Sequence, residues 1–205
     1  MRPRRHLVIF AKAPALGRVK RRLAADIGAL AALRFQREAT SRLLRRVARD
    51  RRWRCWLALT PDRAAAGPHF WPIPCRRLAQ GQGDLGRRMA RPFDRLPRDE
   101  VVVIGSDIPD ITASLIAAAF RLLGGNDLVL GPARDGGFWL IGGRRLPRGL
   151  FAAVRWSSEH ALADTLRNVP PRWRVARAAT LDDVDDGAAY RRWLRRSANA
   201  PAGAA

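Results

Sequence analysis

The chain has 205 residues, 47% hydrophobic and 28% charged, with 39 Lys and Arg against 18 Asp and Glu and a formal net charge of +21 at pH 7. That length and apolar content suit one domain with a real core, expected over residues 1–196, followed by a disordered tail over 197–205. No apolar run approaches bilayer-spanning length, and the basic N-terminus enters a strand-sized segment without a leader cleavage pattern, so no membrane span and a cytoplasmic location are expected. Cys55 and Cys75 are too few for a disulfide framework or a zinc site and read as small buried hydrophobes.

The charge makes nucleic acid the first partner to weigh, because clustered cations bind phosphate without regard to sequence. Arginine is instead scattered over nearly every segment, with no aromatic RNA-binding strand and no zinc-finger spacing, so no specific nucleic-acid partner is expected. The lysines are more informative. Only Lys12 and Lys20 are lysine, and both lie in one loop. In a chain that uses Arg everywhere else, two compact ammonium groups mark places where a guanidinium fork would not serve.

His6 to Phe10 reads as a first strand, followed by the loop AKAPALGRVKRR from Ala11 to Arg22. Pro14 and Gly17 keep that loop from being helix, and Gly17 lets backbone approach a ligand closely. A basic, Gly-containing loop between a first strand and a long helix is where many α/β folds hold nucleotide phosphates, although this one is neither a Walker loop nor GxGxxG. Leu23 to Arg49 reads as one long amphipathic helix with Leu30, Leu33, Leu43, Leu44 and Val47 on its apolar stripe. A strand follows over Trp53 to Leu59, then a loop over Thr60 to Pro68 and a short edge strand over Phe70 to Pro74, its prolines excluding a central place.

QGQGDLGRRM, from Gln80 to Met89, is a Gly-rich loop entering a helix that ends near Leu96. Asp84 reads either as that helix's cap or, with Gly83, as part of a loop over a base or sugar. A helix spans Thr112 to Leu123. Strands over Asp127 to Pro132 and Phe138 to Gly142 are joined through Asp135, Gly136 and Gly137, where Asp-Gly is itself a hairpin signal. Trp156, Ser157 and Ser158 precede a helix reaching Arg167, with either serine a natural N-cap. A last strand over Arg174 to Ala178 leads through LDDVDDG to a terminal helix from Ala188 to Arg195.

The centre of the pattern is VVVIGSDIPD, from Val101 to Asp110. Its continuous β-branched run marks a strand covered on both faces in a parallel sheet. Open α/β sheets bind ligands just outside the carboxyl ends of their strands, which puts Asp107 where chemistry is usually done. The competing reading makes Asp107 a cap for the helix beginning near Thr112. Two windows of this Arg-rich chain, Asp99 to Phe120 and Ala178 to Tyr190, contain no basic residue. They hold Asp107 with Asp110, and Asp182, Asp183, Asp185 and Asp186; both follow predicted strands, so their carboxylates can line one sheet edge and bind a hard cation such as Mg²⁺. The alternative is that the second group only sets negative charge at the N-terminus of the last helix.

FAKAPALGRVKRRL, QGQGDLGRRM, VVVIGSDIPDI, LGPARDGGFWLIG, VRWSSEHALADT and LDDVDD, in that order, resemble the bacterial family of small glycosyltransferase-A-like, nucleotide-sugar-dependent transferases. That family is related more distantly to 2-phospholactate guanylyltransferase and molybdopterin guanylyltransferase. The resemblance covers nearly the whole chain. It implies a three-layer α/β/α fold with a mostly parallel, Rossmann-like sheet, a nucleotide-diphosphate donor across its carboxyl edge, a small-molecule acceptor, and Mg²⁺ or Mn²⁺. Carried over, Lys12, Gly17, Lys20 and Arg22 form the phosphate loop, with Gly83, Asp84, Gly105 and Ser106 completing nucleotide binding. Asp107 with Asp183 or Asp185 holds the metal, Asp107, Lys20 and Asp135 are catalytic, and Asp135, Gly136, Gly137, Trp156 and Ser157 face the acceptor. The chain departs from the family at Arg21, where Thr is usual, and at Phe138-Trp139, where tyrosines are favoured. The implied reaction is glycosyl transfer from a nucleotide sugar, with nucleotidyl transfer releasing pyrophosphate as the alternative and a non-catalytic nucleotide- or nucleic-acid-binding protein as a third possibility.

Overall fold

The structure is a computed structural model that describes residues 4–198 apart from 72, 74 and 98. Strand β1, Arg5–Lys12, leads through the basic loop to helix α1, Arg21–Ile27, and helix α2, Ala29–Val47. The expected single helix is thus two. Gly28 stands between them at φ +86°, a conformation no helical residue adopts and glycine tolerates. The break turns Leu30 outward, where it is 54% exposed rather than part of the apolar stripe.

Strand β2, Arg54–Thr60, and the short helix α3, Arg63–Ala66, are followed by strand β3, Arg76–Ala79. The edge strand is therefore displaced from the expected 70–74, of which 72 and 74 lie outside the described residues. Ladder pairing begins only at Arg76, clear of the prolines that lack a donor. Helix α4, Leu85–Arg95, strand β4, Glu100–Gly105, helix α5, Ala113–Leu122, strand β5, Leu128–Pro132, and strand β6, Phe138–Gly143, come next. Helix α6, Ala161–Arg167, strand β7, Val175–Arg177, and helix α7, Gly187–Ala198, are the last elements among the described residues. Helix α7 runs two residues into the expected tail; the rest of that tail lies outside the described residues.

The seven strands form one sheet in the order β3-β2-β1-β4-β6-β5-β7. Strand β6 pairs antiparallel with both β4 and β5, while every other pairing is parallel, so β6 alone runs against the rest. Successive residues of the central strands supply opposite faces, as a pleated strand requires. Leu7, Ile9, Val102 and Ile104 pack with α2 and α5, whereas Val8, Val101 and Val103 pack with α4 and α6. Burying each of these side chains stabilises by on the order of 2 kcal/mol, which makes β1 and β4 the rigid base of the three-layer α/β/α sandwich. A third cluster, Leu23, Phe35 and Val184 with Tyr190 and Trp193, fastens α7 and the acidic segment onto α1 and α2.

Candidate active site

The loops leaving β1, β4 and β5 and the acidic segment before α7 converge on a cleft of about 780 Å³ at the carboxyl edge of the parallel strands. Two backbone contacts put the acidic segment there. Leu181 bridges Ala133 just past β5, and the Val184 amide donates to the Asp107 carbonyl at 3.3 Å. With Val184 buried, the side chains of Asp183 and Asp185 on either side of it line the cleft.

Lys20 is the buried cation at the acidic end of this site. Its backbone sits in the left-handed region at φ +46°, unusual for a non-glycine residue and a form of strain that persists where the surroundings demand it. Its side chain is only 4% exposed, and Nζ lies 3.1 Å from Asp107 Oδ2 and 3.4 Å from Asp185 Oδ1. Burial opposes the charged ammonium, but Asp107 and then Asp185 outweigh it, raising the Lys20 pKa so that the group stays protonated. Arg22 reaches the other oxygen of Asp185 at 3.4 Å from solvent. Burial pushes the Asp183 carboxyl up to about 6, reinforced by the negative charges of Asp135, Asp185 and Asp107 and opposed by Lys20. The cluster is thus overfull of carboxylates for its one buried cation.

The structure decides several contests between a structural and a binding role. Helix α5 is capped by Thr112, whose Oγ1 accepts from the Leu115 amide, so Asp107 is free of that duty. Asp84 does cap, accepting from the Arg87 amide at 2.7 Å, and neither it nor Gly83 lines the cleft; Leu85, Arg88 and Met89 from the first turns of α4 do. Asp186 caps α7 through the Ala189 amide, and Asp182 is held by Arg134 and Arg196, leaving Asp183 and Asp185 as the acidic pair of the cleft. Asp135 holds the turn, its Oδ1 accepting from the Gly137 amide, and also lines the cleft.

Lys12, Lys20, Arg22, Gly105, Ser106, Asp107, Gly137, Trp156 and Ser157 all line the same cleft. Gly17 and Gly136 do not. Gly17 turns the loop after β1 at φ +69°, and Gly136, at φ +85°, lies so close to the Glu159 backbone that a Cβ would collide with it. Neither serine caps α6, whose N-cap is His160; Ser158 closes the turn before it, donating to the Arg155 carbonyl and accepting from the His160 amide. The turn is fixed by the buried Asp164, which takes Arg155 Nε and Nη2 at 2.8 Å each.

Sequence reasoning missed Arg88, Gln80 and Glu159. Gln80 is buried and spent on structure: its amide nitrogen donates to the carbonyls of Ala11 and Ala58, and its Oε1 accepts from Arg88 at 3.1 Å, aiming that guanidinium along the cleft wall. Nothing distinguishes Arg88 among so many arginines in the sequence. Glu159 could have been noticed, being one of only three glutamates.

The donors on offer are carboxylate oxygens, the chemistry of a hard divalent cation. Among the described residues no three His, Cys, Asp or Glu side chains are placed to hold a metal ion by themselves, so the expected shell of Asp107, Asp183 and Asp185 is not a closed cage. The excess of carboxylates over buried cations still fits a metal that takes one or two of them and completes its coordination from phosphate, as Mg²⁺ usually does.

Strand order, the reversed β6 and a ligand-sized cleft at the carboxyl edge define a nucleotide-diphospho-sugar transferase fold of the glycosyltransferase-A type. Within that class the chain belongs to the family described as an uncharacterized protein conserved in bacteria (DUF2064), which matches residues 43–158. It is similar to a protein from Desulfovibrio desulfuricans G20 provisionally named a nucleotide-diphospho-sugar transferase, at 29% identity and TM-score 0.84 over 96% of this chain and 89% of that one. The fold is shared with 4-diphosphocytidyl-2C-methyl-D-erythritol synthase from Anaerococcus prevotii DSM 20548, at 10% identity and TM-score 0.62 over 95% and 99% of the two chains. It is shared too with glucosyl-3-phosphoglycerate synthase from Mycobacterium tuberculosis, whose crystals hold Mn²⁺, uridine diphosphate and phosphoglyceric acid, at 12% identity and TM-score 0.52 over 88% and 69%. No curated protein matches the chain. Among the described residues no helix is long and apolar enough to cross a membrane.

Proposed function

We propose that the protein is a metal-dependent transferase that moves a sugar from a nucleotide-diphosphate donor to a small hydroxyl-bearing acceptor. The observation that carries this reading is the buried Lys20 ammonium set between Asp107 and Asp185, with Arg22 outside it, in the lining of a 780 Å³ cleft. Such a centre has both parts that diphosphate chemistry needs: cations to meet phosphate oxygens, and carboxylates to hold a divalent ion. The similarity to the Desulfovibrio protein supports a nucleotide-sugar donor, and Mn²⁺ with uridine diphosphate in a protein of the same fold supports the cofactor, Mg²⁺ or Mn²⁺.

In this reading Asp107 and Asp185 would hold the cation, which when bound would offset negative charge on the leaving diphosphate. Lys20, Lys12 and Arg22 face the same phosphates, a preorganised electrostatic contribution. Asp135 lines the cleft with Gly137, Trp156 and Ser157 and stands close enough to Asp183 to add to the upward pKa shift that burial causes there. The Asp135 carboxylate takes the proton of the acceptor hydroxyl as the acceptor oxygen bonds to the sugar carbon and the bond from that carbon to phosphate breaks. Arg21 faces the cleft where a hydroxyl is usual in the resembled family, so the donor meets an additional guanidinium there.

The test is incubation with panels of nucleotide sugars and nucleoside triphosphates plus Mg²⁺ or Mn²⁺. Release of nucleoside diphosphate from a nucleotide sugar is the expected result. Pyrophosphate release from a triphosphate would replace this reading with nucleotidyl transfer, and neither product would leave a nucleotide-binding protein.

A further inference from the structure

Two of the carboxylates expected to hold a metal ion, Asp107 and Asp185, are already bridged by a cation of the protein's own. Lys20 Nζ lies within 3.4 Å of an oxygen of each, and the side chain is closed off from water, while Asp107 and Asp185 are each about half exposed. A buried charge without a partner is strongly unfavourable, and the carboxylates that meet this ammonium at ion-pair distance are Asp107 and Asp185. The left-handed backbone at Lys20 shows that the chain accepts strain to hold it there. A bare divalent cation that bridges Asp107 and Asp185 takes the place of this ammonium and leaves it buried against a second positive charge. Phosphate oxygens entering the same cleft remove that obstacle, because they give the ammonium a new partner.

Resting on the transferase reading above, we propose that Lys20 occupies the cation position between Asp107 and Asp185 in the free protein and yields it only to a divalent cation that arrives with phosphate. The true donor is then the metal–nucleotide complex, and metal does not bind first. The chain lends itself to a direct test, because only Lys12 and Lys20 carry side-chain ammonium groups. In wild-type protein labelled with ¹⁵N at lysine Nζ, Mg²⁺ alone should leave the Lys20 signal in place. Mg²⁺ with an equimolar mixture of ADP, CDP, GDP and UDP should move it.

In parallel, titrating Mn²⁺ alone by electron paramagnetic resonance should show at least tenfold tighter binding to Lys20→Met than to the wild type. Lys20→Arg, which keeps the charge, should resemble the wild type. A Lys20 signal that shifts with Mg²⁺ alone, or equal Mn²⁺ affinity in wild type and Lys20→Met, overturns the proposal while nucleotide binding in the presence of metal still stands. If the nucleotide mixture binds neither with nor without metal, the transferase reading falls and this inference with it. Should Lys20→Met fail to fold, the wild-type resonance experiment decides alone.

Discussion

Strand β4 carries a carboxylate at each end, and the two are treated oppositely. Glu100, at its start, is 2% exposed and meets Arg5 at 2.9 Å and Arg144 at 3.4 Å, one acid between two guanidiniums that themselves reach water. Asp107, just past its end, is half exposed and shares one buried ammonium with Asp185, while Asp183 and Asp135 add more negative charge nearby. The amino-terminal edge is an electrostatically finished structure. At the carboxyl-terminal edge one buried ammonium faces several carboxylates, and the remaining cations of the cleft are arginines and Lys12 along its walls, an arrangement open to a ligand that the proposed function would supply.

Exchanging each acid for its amide should break this contrast most clearly. Asp107→Asn keeps the shape and loses the charge, and it should cut metal-dependent nucleotide binding or turnover by ~100-fold with little change in melting temperature. Glu100→Gln should do the reverse. Nucleotide affinity should stay constant while stability falls by about 2 kcal/mol, less than for a fully buried pair because both arginines retain solvent. Isothermal titration beside thermal unfolding on the two variants separates the effects, and an Asp107→Asn protein that binds as the wild type does would dissolve the distinction between the edges.

Lys20→Arg sharpens the same comparison at constant charge. The guanidinium is larger and planar, and the ammonium it replaces is nearly sealed between two carboxylates, so donor binding should weaken by about tenfold. Unaltered titration curves would mean that the lysine is interchangeable with the arginines around it.

The loop bearing Trp156 to Ser158 depends on pH through a third acid. Two hydrogen bonds from the Arg155 side chain, then the Arg155 amide, hold the Asp164 carboxyl well below the usual carboxylate range. A depressed pKa means that the folded state binds fewer protons than the unfolded one. The stabilisation is therefore complete above the unfolded value of about 4 and is lost as pH falls below it toward the folded value. Chemical denaturation between about pH 2 and pH 7 should show stability falling with acid in the wild type and a flatter profile in Asp164→Asn. Parallel profiles would remove Asp164 as the anchor of this loop.

How much of this was legible beforehand depended on contrast within the sequence. Val101 to Asp110 stood out because a long β-branched run ending in Gly-Ser-Asp has one economical reading, and the structure buries that run and leaves Asp107 in the cleft. Lys20 was visible for a similar reason, as a rare residue against arginine. The break at Gly28 was hidden because apolar periodicity continues across it, although φ +86° there ends one helix and begins another. Arg88 was hidden in the opposite way, being ordinary in composition and special only through the Gln80 side chain that aims it. The acidic LDDVDD run could be located, but dividing it into cleft residues, a cap and a surface pair needed the Val184 anchor and the bridge at Leu181.

The smallest expected effect concerns an acid for which sequence allowed two roles. Asp84 stands in the Gly-rich loop in front of α4, its side chain accepting from the Arg87 amide in extended backbone geometry, the arrangement of an N-cap. Asparagine caps nearly as well, so Asp84→Asn should be almost neutral, whereas Asp84→Ala should cost about 1 kcal/mol. Because α4 also carries Arg88 and Met89 into the cleft, a loosened first turn could lower nucleotide affinity indirectly. The asparagine variant separates these routes. If Asp84 only caps, Asn preserves both stability and nucleotide binding; if its charge contacts the nucleotide or a metal, Asn preserves stability and loses binding. The first result is expected, and the second would extend the carboxylate-rich centre of the carboxyl edge as far as this loop.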